Sequence, residues 1–358
     1  MYRFRCLTLE ELDKMEYQTF SPSSLSEWLV KWYSTFNQVK DNTMGFEKEL
    51  FIVACYEHGE LNSLLPLMRV KRRYGRFLSL FFLEFLGQQW SCIGTDLIAE
   101  QMPELDLLHS LRRWLRKNIH YHFLFLKYLP KESVFNGNYR FFKHGGSPLL
   151  DLKKYSDYEF FRKHRYSRNL KQNLRKALNK AKKNGIVVEE TVEEINEQNL
   201  KEIKRISATK LLDGKSYLYG DKRKEEFYRF VYKNFQSNVV FVKFNGIPVS
   251  FRTNIFWGNK KHCIDAAYDR KYRNYNLGIW GVDVSIKDSF ERGVKIHSMG
   301  PGYDSYKFKF ADSVYHYFMF MDWRFRVKSV LLLPYFWILL KRKEKSVDSV
   351  LHHYGFET

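Results

Sequence analysis

Short apolar runs alternate with segments of helical spacing in the same order twice along the chain, and this order restricts the fold more than any single residue does. In the first half, Leu25, Trp28, Leu29 and Trp32 share one helical face behind Ser24, whose hydroxyl suits an N-cap. Residues 51–56, 61–70 and 77–86 then read as strands, with Glu57-His58-Gly59-Glu60 as a tight turn, before a helix over 105–118 and a strand over 123–129 that stops at Pro130. In the second half the spacing predicts one long basic helix over 158–184, closed by Gly185, and a strand over 186–190. Helices over 192–212 and 222–235, strands over 239–244, 248–257 and 262–268, and a helix over 277–292 follow. A strand over 294–299, a short helix near Tyr306 and a closing strand over 315–323 complete it. The turn-forming Asn136-Gly137-Asn138, His144-Gly145-Gly146 and Ser147-Pro148 place a boundary between the halves. The expected class is α/β (α+β), with two units that are each a mixed, mostly antiparallel sheet flanked by helices.

Length and charge bound what such a chain does. The 358 residues allow two domains of ordinary size. Sixty Lys and Arg against forty Asp and Glu give a net charge of +20, which calls for anionic partners: nucleic acid, an anionic membrane surface or phosphate-bearing molecules. Cys6, Cys55, Cys92 and Cys263 are too scattered for a metal knuckle or a disulfide framework, so reduced thiols, a cytoplasmic setting and no metal are expected. Charged residues recur every few positions at the N-terminus, against a signal peptide. The apolar segment 329–340 is too short to span a bilayer and contains Pro334. With Arg324, Arg326 and Lys328 before it and Lys341-Arg342-Lys343 after it, the 327–340 stretch suits either an interfacial helix on anionic lipid or a terminal helix packed on the second domain. The basic helix over 158–184 has a polar stripe (Arg168, Lys171, Arg175) and an apolar one (Leu170, Leu174, Leu178), so one side is buried and the other is open to RNA or lipid. No G-x-S-x-G, P-loop or H-E-x-x-H signature occurs.

The stretch 266–307 carries the chemistry. A strand ends at Tyr268, a basic loop (Arg270, Lys271, Arg273, Asn274) follows, and a helix starts at Asn276-Leu277-Gly278 with Ile279, Val282, Ile286 and Phe290 on its buried stripe. Such a start aims unpaired N–H groups and the positive helix end at an anion such as a pyrophosphate.

Taken together, Leu65-Pro66-Leu67, Phe85-Leu86-Gly87, residues 126–133 (LKYLPKES), Ser147-Pro148 with Asp151-Leu152, the basic helix, Tyr268-Asp269, Asn276-Leu277-Gly278 and Gly302 with Tyr306-Lys307 resemble the CelD-type acetyltransferases. These are a tandem branch of the GNAT superfamily with kinship to Fem-type aminoacyl transferases. The resemblance implies acetyl-CoA or another acyl-CoA as co-substrate, with Arg273, Asn274, Tyr275, Asn276, Leu277 and Gly278 as its phosphate loop and Lys307 on a phosphate or the acceptor. It also implies Tyr306 as the acid that protonates the departing thiolate, and Asp265 or Asp269 as proton acceptor, with His262 and His297 as candidates of the same rank. The loop keeps the family's first Arg and last Gly but lacks its middle Gly, and Phe85-Leu86-Gly87 runs into residues 88–92 without an acidic residue, so the cofactor is expected in the second unit only. The implied layout is 1–133 as a first unit, 134–157 as linker, 158–326 as the acyltransferase unit and 327–358 as a C-terminal helix and tail. The implied activity is acyl-CoA-dependent N- or O-acyl transfer to an envelope sugar, a lipid-linked precursor or a small molecule, at or near the inner membrane face. A Fem-like transferase using aminoacyl-tRNA, for which +20 is the footprint of RNA, and a non-catalytic GNAT scaffold are the alternatives.

Overall fold

The computed structural model describes residues 2–76, 78–90, 92–99, 105–136 and 141–356. Along the chain run β1 (Tyr2–Leu7), α1 (Leu9–Asp13), α2 (Ser26–Phe36), β2 (Glu47–Glu57), β3 (Glu60–Tyr74), β4 (Leu78–Phe85), β5 (Ile98–Ala99), α3 (Leu105–Asn118), β6 (Phe123–Leu129) and β7 (Phe141–Asp151). They are followed by α4 (Tyr158–Arg165), α5 (Arg168–Lys183), β8 (Val188–Glu193), α6 (Glu197–Ala208), α7 (Lys222–Asn234), β9 (Ser237–Phe244), β10 (Ile247–Trp257) and β11 (Lys260–Tyr268). Last come α8 (Leu277–Glu291), β12 (Ile296–Ser298), β13 (Ser313–Trp323) and α9 (Val327–His353). The chain divides into two compact units: residues 1–146 with 316–358, and residues 147–315, so that in sequence the second is nested inside the first. The segment 134–157 therefore holds β7, and residues 327–358 hold α9, an element of the first unit.

In the first unit, β1, β2, β3 and β4 form an antiparallel meander, with β6 parallel to β4 and the 316–323 part of β13 antiparallel to β6. His58 and Gly59, at φ 53° and 95°, close the β2–β3 hairpin as the Glu57–Glu60 turn required. Leu67, Leu83, Phe85, Leu124 and Leu126 on the sheet bury against Leu111 and Leu115 of α3. In the second unit β8, β9, β10 and β11 are antiparallel, β12 is parallel to β11, and the end of β7 is antiparallel to β12. Its core joins Phe241 and Phe251 to Ile203 and Ile206 of α6, Phe227 and Val231 of α7, and Val282 and Ile286 of α8. Each such side chain contributes about 1.5–3 kcal/mol by leaving water. Both units are mixed, mostly antiparallel sheets flanked by helices.

Three local expectations are corrected. Ser24 is not the cap of α2: Pro22–Ser24 form a 3-10 turn capped by Ser21, and Ser24 donates instead to Thr95 (3.4 Å). The single basic helix is two, because the chain turns extended at Tyr166 and Ser167, whose hydroxyl accepts from Leu170 N–H and starts α5 afresh. Tyr166 is pinned there by its hydroxyl on Asp283, a tertiary contact that periodicity does not register. His144-Gly145-Gly146 and Ser147-Pro148 lie within β7 rather than in turns. Phe77, Gly137 and Asn138, expected in a strand and a turn, lie outside the described residues.

Candidate active site

The site begins at a defect in strand pairing within the second unit. On one side of β11, Cys263 faces Asn254 and Asp265 faces Thr253, so Ile264 is an extra residue that bulges the strand. On the other side, β11 pairs with β12 only through Lys260, Lys261 and His262. Gly300 then turns the chain at φ 81°, so close to β11 that a Cβ there would lie 2.7 Å from the Cys263 carbonyl oxygen. Beyond Cys263 the β11 edge therefore has no strand neighbour on that side among the described residues.

The N-terminus of α8 closes the gap. Arg270–Tyr275 form a 3-10 turn, and Asn276 adopts the left-handed conformation (φ 51°) that short polar side chains tolerate and that redirects the chain into the helix. A helix start leaves the Leu277 and Gly278 amides without intrahelical acceptors and gives that end a partial positive charge. Gly281 lets the helix lie close on β10, since a Cβ there would approach Ser250 Oγ to 3.1 Å. The resulting cleft, of about 530 Å³, is lined by Tyr268, Arg270, Arg273, Leu277–Gly278, Arg252 and Tyr306, among others.

Electrostatics set the character of its inner end. Arg252 is 2% exposed, donates to Cys263 Sγ (3.1 Å), acts electrostatically on the Tyr306 hydroxyl, and has no carboxylate within ion-pair distance among the described residues; its Nε has no partner. Burial raises the Tyr306 hydroxyl above the ordinary phenol value and the Arg252 charge opposes the rise, so this group is protonated at neutral pH. The loop that presents Tyr306 is held by Lys307, whose Nζ donates to the carbonyls of Gly300 (3.1 Å), Pro301 (2.7 Å) and Gly302 (3.3 Å). Its Nζ also meets Asp304 at 3.2 Å, so Lys307 is committed to this loop rather than placed in the cleft lining. Asp265 is largely buried and paired with Lys210 (3.0 Å), which does line the cleft; burial raises its carboxyl, Lys210 opposes this, and Oδ2 has no hydrogen-bond partner.

The other expected residues are spread around this centre. Asp269 caps the Arg270–Tyr275 turn through Lys271 N–H and meets Arg205 at 3.4 Å. Tyr275 meets Phe244 edge-on and accepts from Asn184 (2.6 Å), while Asn274 is an exposed residue of the 3-10 turn. His297 is fully buried against Ser289 Oγ (2.8 Å) and pushed far below the ordinary imidazole value; His262 is pushed down to about 4 by burial and Lys260, so both are neutral. Arg252 and Lys210 escaped the sequence reading. The available signal was a lone charge among the apolar residues of 247–257, which for Arg252 is the mark of an inward-facing cation.

The first unit has a similar parting: β4 and β6 are parallel only over Phe82–Glu84 and Phe123–Phe125. There the gap is filled from within. Gln88 Oε1 accepts from Phe85 N–H (3.3 Å) and Lys127 N–H (3.1 Å), and the fully buried Glu84 is held by Arg72 and Gln89.

Residues 168–308 match the family model described as the acetyltransferase (GNAT) domain. No curated protein matches the chain. Among solved structures the chain is similar to FemX at 13% identity and a TM-score of 0.55, over 93% of this chain and 99% of that one. It is also similar to the C-terminal domain of a putative lysylphosphatidylglycerol synthetase from Agrobacterium fabrum (13%, TM-score 0.51, 86% and 95%). A conserved protein of unknown function from Bacteroides thetaiotaomicron matches at 10% identity and a TM-score of 0.51, over 90% of this chain and 100% of that one. At these identities the likeness is one of fold. The matched residues 168–308 take in the strand parting, the bulge and the helix start described above.

Proposed function

We propose that the second unit transfers an acetyl or longer acyl group from acyl-CoA to an amine or hydroxyl of an envelope sugar, a lipid-linked precursor or a related small acceptor, as in the CelD-type enzymes. The observation that carries this reading is the parted β11–β12 edge opening onto the N-terminus of α8 beside Tyr306. The residues present suit the co-substrate: the Leu277 and Gly278 amides with Arg273 for a pyrophosphate, and the open β11 edge for an amide-bearing arm. In the reaction the acceptor nitrogen or oxygen bonds to the thioester carbonyl carbon, the carbon–sulfur bond breaks, and the sulfur takes the Tyr306 proton. The acceptor's proton passes to Asp265, directly or through water, and Tyr306 recovers its own from solvent. Arg252 keeps the Tyr306 hydroxyl in place and compensates the negative charge that develops beside it. Tyr306 is the proposed catalytic acid, Lys307 and Arg252 its positioning residues, and Asp269, Asn274 and Tyr275 the frame of the phosphate loop.

A second reading, in which aminoacyl-tRNA is the donor, is favoured by one observation: Arg162, Lys163, Lys171 and Arg175 on α4 and α5 line a groove and have no carboxylate within ion-pair distance among the described residues. Calorimetric titration separates the two. Saturable acetyl-CoA binding, with tRNA binding weak and abolished by moderate salt, supports the first reading; tight tRNA binding without acetyl-CoA binding overturns it.

A further inference from the structure

The outward face of α9 is apolar and exposed. The helix is anchored by its inner face: Phe336 packs on Phe123 (4.7 Å), Phe125 (5.5 Å) and Phe82 (5.8 Å), Trp337 on Phe142 (4.9 Å), and Ser329 Oγ donates to the His122 carbonyl. With that side fixed, residues spaced i, i+4 and i+11 point away from the unit: Val327 (77% exposed), Leu331 (72%) and Ile338 (50%), with Phe325 and Tyr335 beside them. Pro334 lies on this outward side, and the helix continues through it. Cations bracket the face, with exposed Arg326 and Lys328 before it and Arg342, Lys343 and Lys345 after it.

A second feature adjoins the start of this face. A cavity of about 630 Å³ is lined by Lys71, His120, His122, Arg326, Val327 and Lys328, next to the first turn of α9. The local field there is positive: burial first, then His120, Lys328 and Arg326, push His122 down to about 4. A cationic cavity continuous with an apolar helix face matches the two parts of a phospholipid, headgroup and acyl region. No helix among the described residues is long and apolar enough to cross a membrane, so this helix would lie on the surface rather than span it. A second copy of the chain fits the face poorly, because pairing two such helices brings like-charged borders together.

We infer that the outer face of α9 and the cationic cavity at its start form a docking surface for an anionic phospholipid bilayer. This attachment is independent of which donor the second unit uses. The experiment is flotation of the full chain with vesicles of phosphatidylcholine alone or mixed with phosphatidylglycerol, at low and high salt. Binding to mixed vesicles only, weakened by salt, is expected. Leu331→Glu with Ile338→Glu, and separately Arg326→Gln with Lys328→Gln, should each lower partitioning by about tenfold or more, with circular dichroism melting and acetyl-CoA binding unchanged. The second pair occupies exposed positions and decides the matter should the first pair disturb folding. No flotation on mixed vesicles at low salt, equal flotation on phosphatidylcholine, or wild-type flotation by the Arg326→Gln/Lys328→Gln variant overturns the inference. So does a concentration-dependent dimer that Leu331→Glu/Ile338→Glu dissolves while lipid binding is absent.

Discussion

Arg252 is a buried cation that donates to a thiol beside the Tyr306 phenol, and a charge so placed costs several kcal/mol unless an opposite charge arrives during function. That asymmetry separates two substitutions. Tyr306→Phe should reduce kcat by about 10²–10⁴-fold with little change in acyl-CoA affinity, measured by steady-state kinetics under conditions limited by chemistry. Arg252→Met should leave thermal stability equal or higher while lowering kcat. It should also move any alkaline fall in kcat to higher pH, because Arg252 is what holds the buried Tyr306 hydroxyl down. Arg252→Lys should restore part of the rate. The helix start at Asn276-Leu277-Gly278 and the turn before it were legible because loop chemistry and helical period are local properties. Arg252 was not, since strand alternation says which residues face inward but not that an inward guanidinium will find Tyr306, fifty-four positions away in the chain.

At the scale of elements, α8 and β11 are joined by a buried ion pair. Lys261 is fully buried and donates to Asp288 and to the Ser285 carbonyl (2.8 Å), while Asp288 also takes Arg292 (2.7 Å) and Asn238 (3.0 Å). Burial lowers the Lys261 ammonium to about 8, against the pull of Asp288. Burial also works against the Asp288 carboxylate, but its three partners win and hold it low. Two consequences carry opposite signs. Stability from Asp288 is present above the ordinary carboxylate range and lost as pH falls through its depressed value. For Lys261 the unfolded chain binds more protons between about 8 and 10.5, so its contribution grows as pH rises through that window. Lys261→Met should cost roughly 3–5 kcal/mol in urea unfolding near neutral pH, and adding Asp288→Leu should recover most of it. Strands and helices of this unit were readable within a few residues from periodicity. The break between α4 and α5 was not, because it is set by Tyr166 and Asp283 meeting across the fold.

For the whole molecule, acetyl-CoA added to the full chain should slow amide exchange over 263–279 and 304–306 and leave 78–90 and 123–129 unchanged, since Gln88 and Glu84 fill the gap of the first unit. Protection at the first-unit strands alone would relocate the site. The doubled element order was visible in the sequence, but the nesting was not: β13 and α9 follow the second half in the chain yet complete the first unit, a matter of long-range pairing. That nesting has a consequence for synthesis. During translation the inner unit has all its residues by Tyr315, while the outer one, begun first, still lacks the strand that covers β6 and the helix that covers Phe82 and Phe123. The nascent chain therefore carries an open strand edge and bare aromatic surface until its last segment emerges, which makes chaperone capture of the unfinished outer unit, rather than of the inner one, the vulnerable stage of its biogenesis.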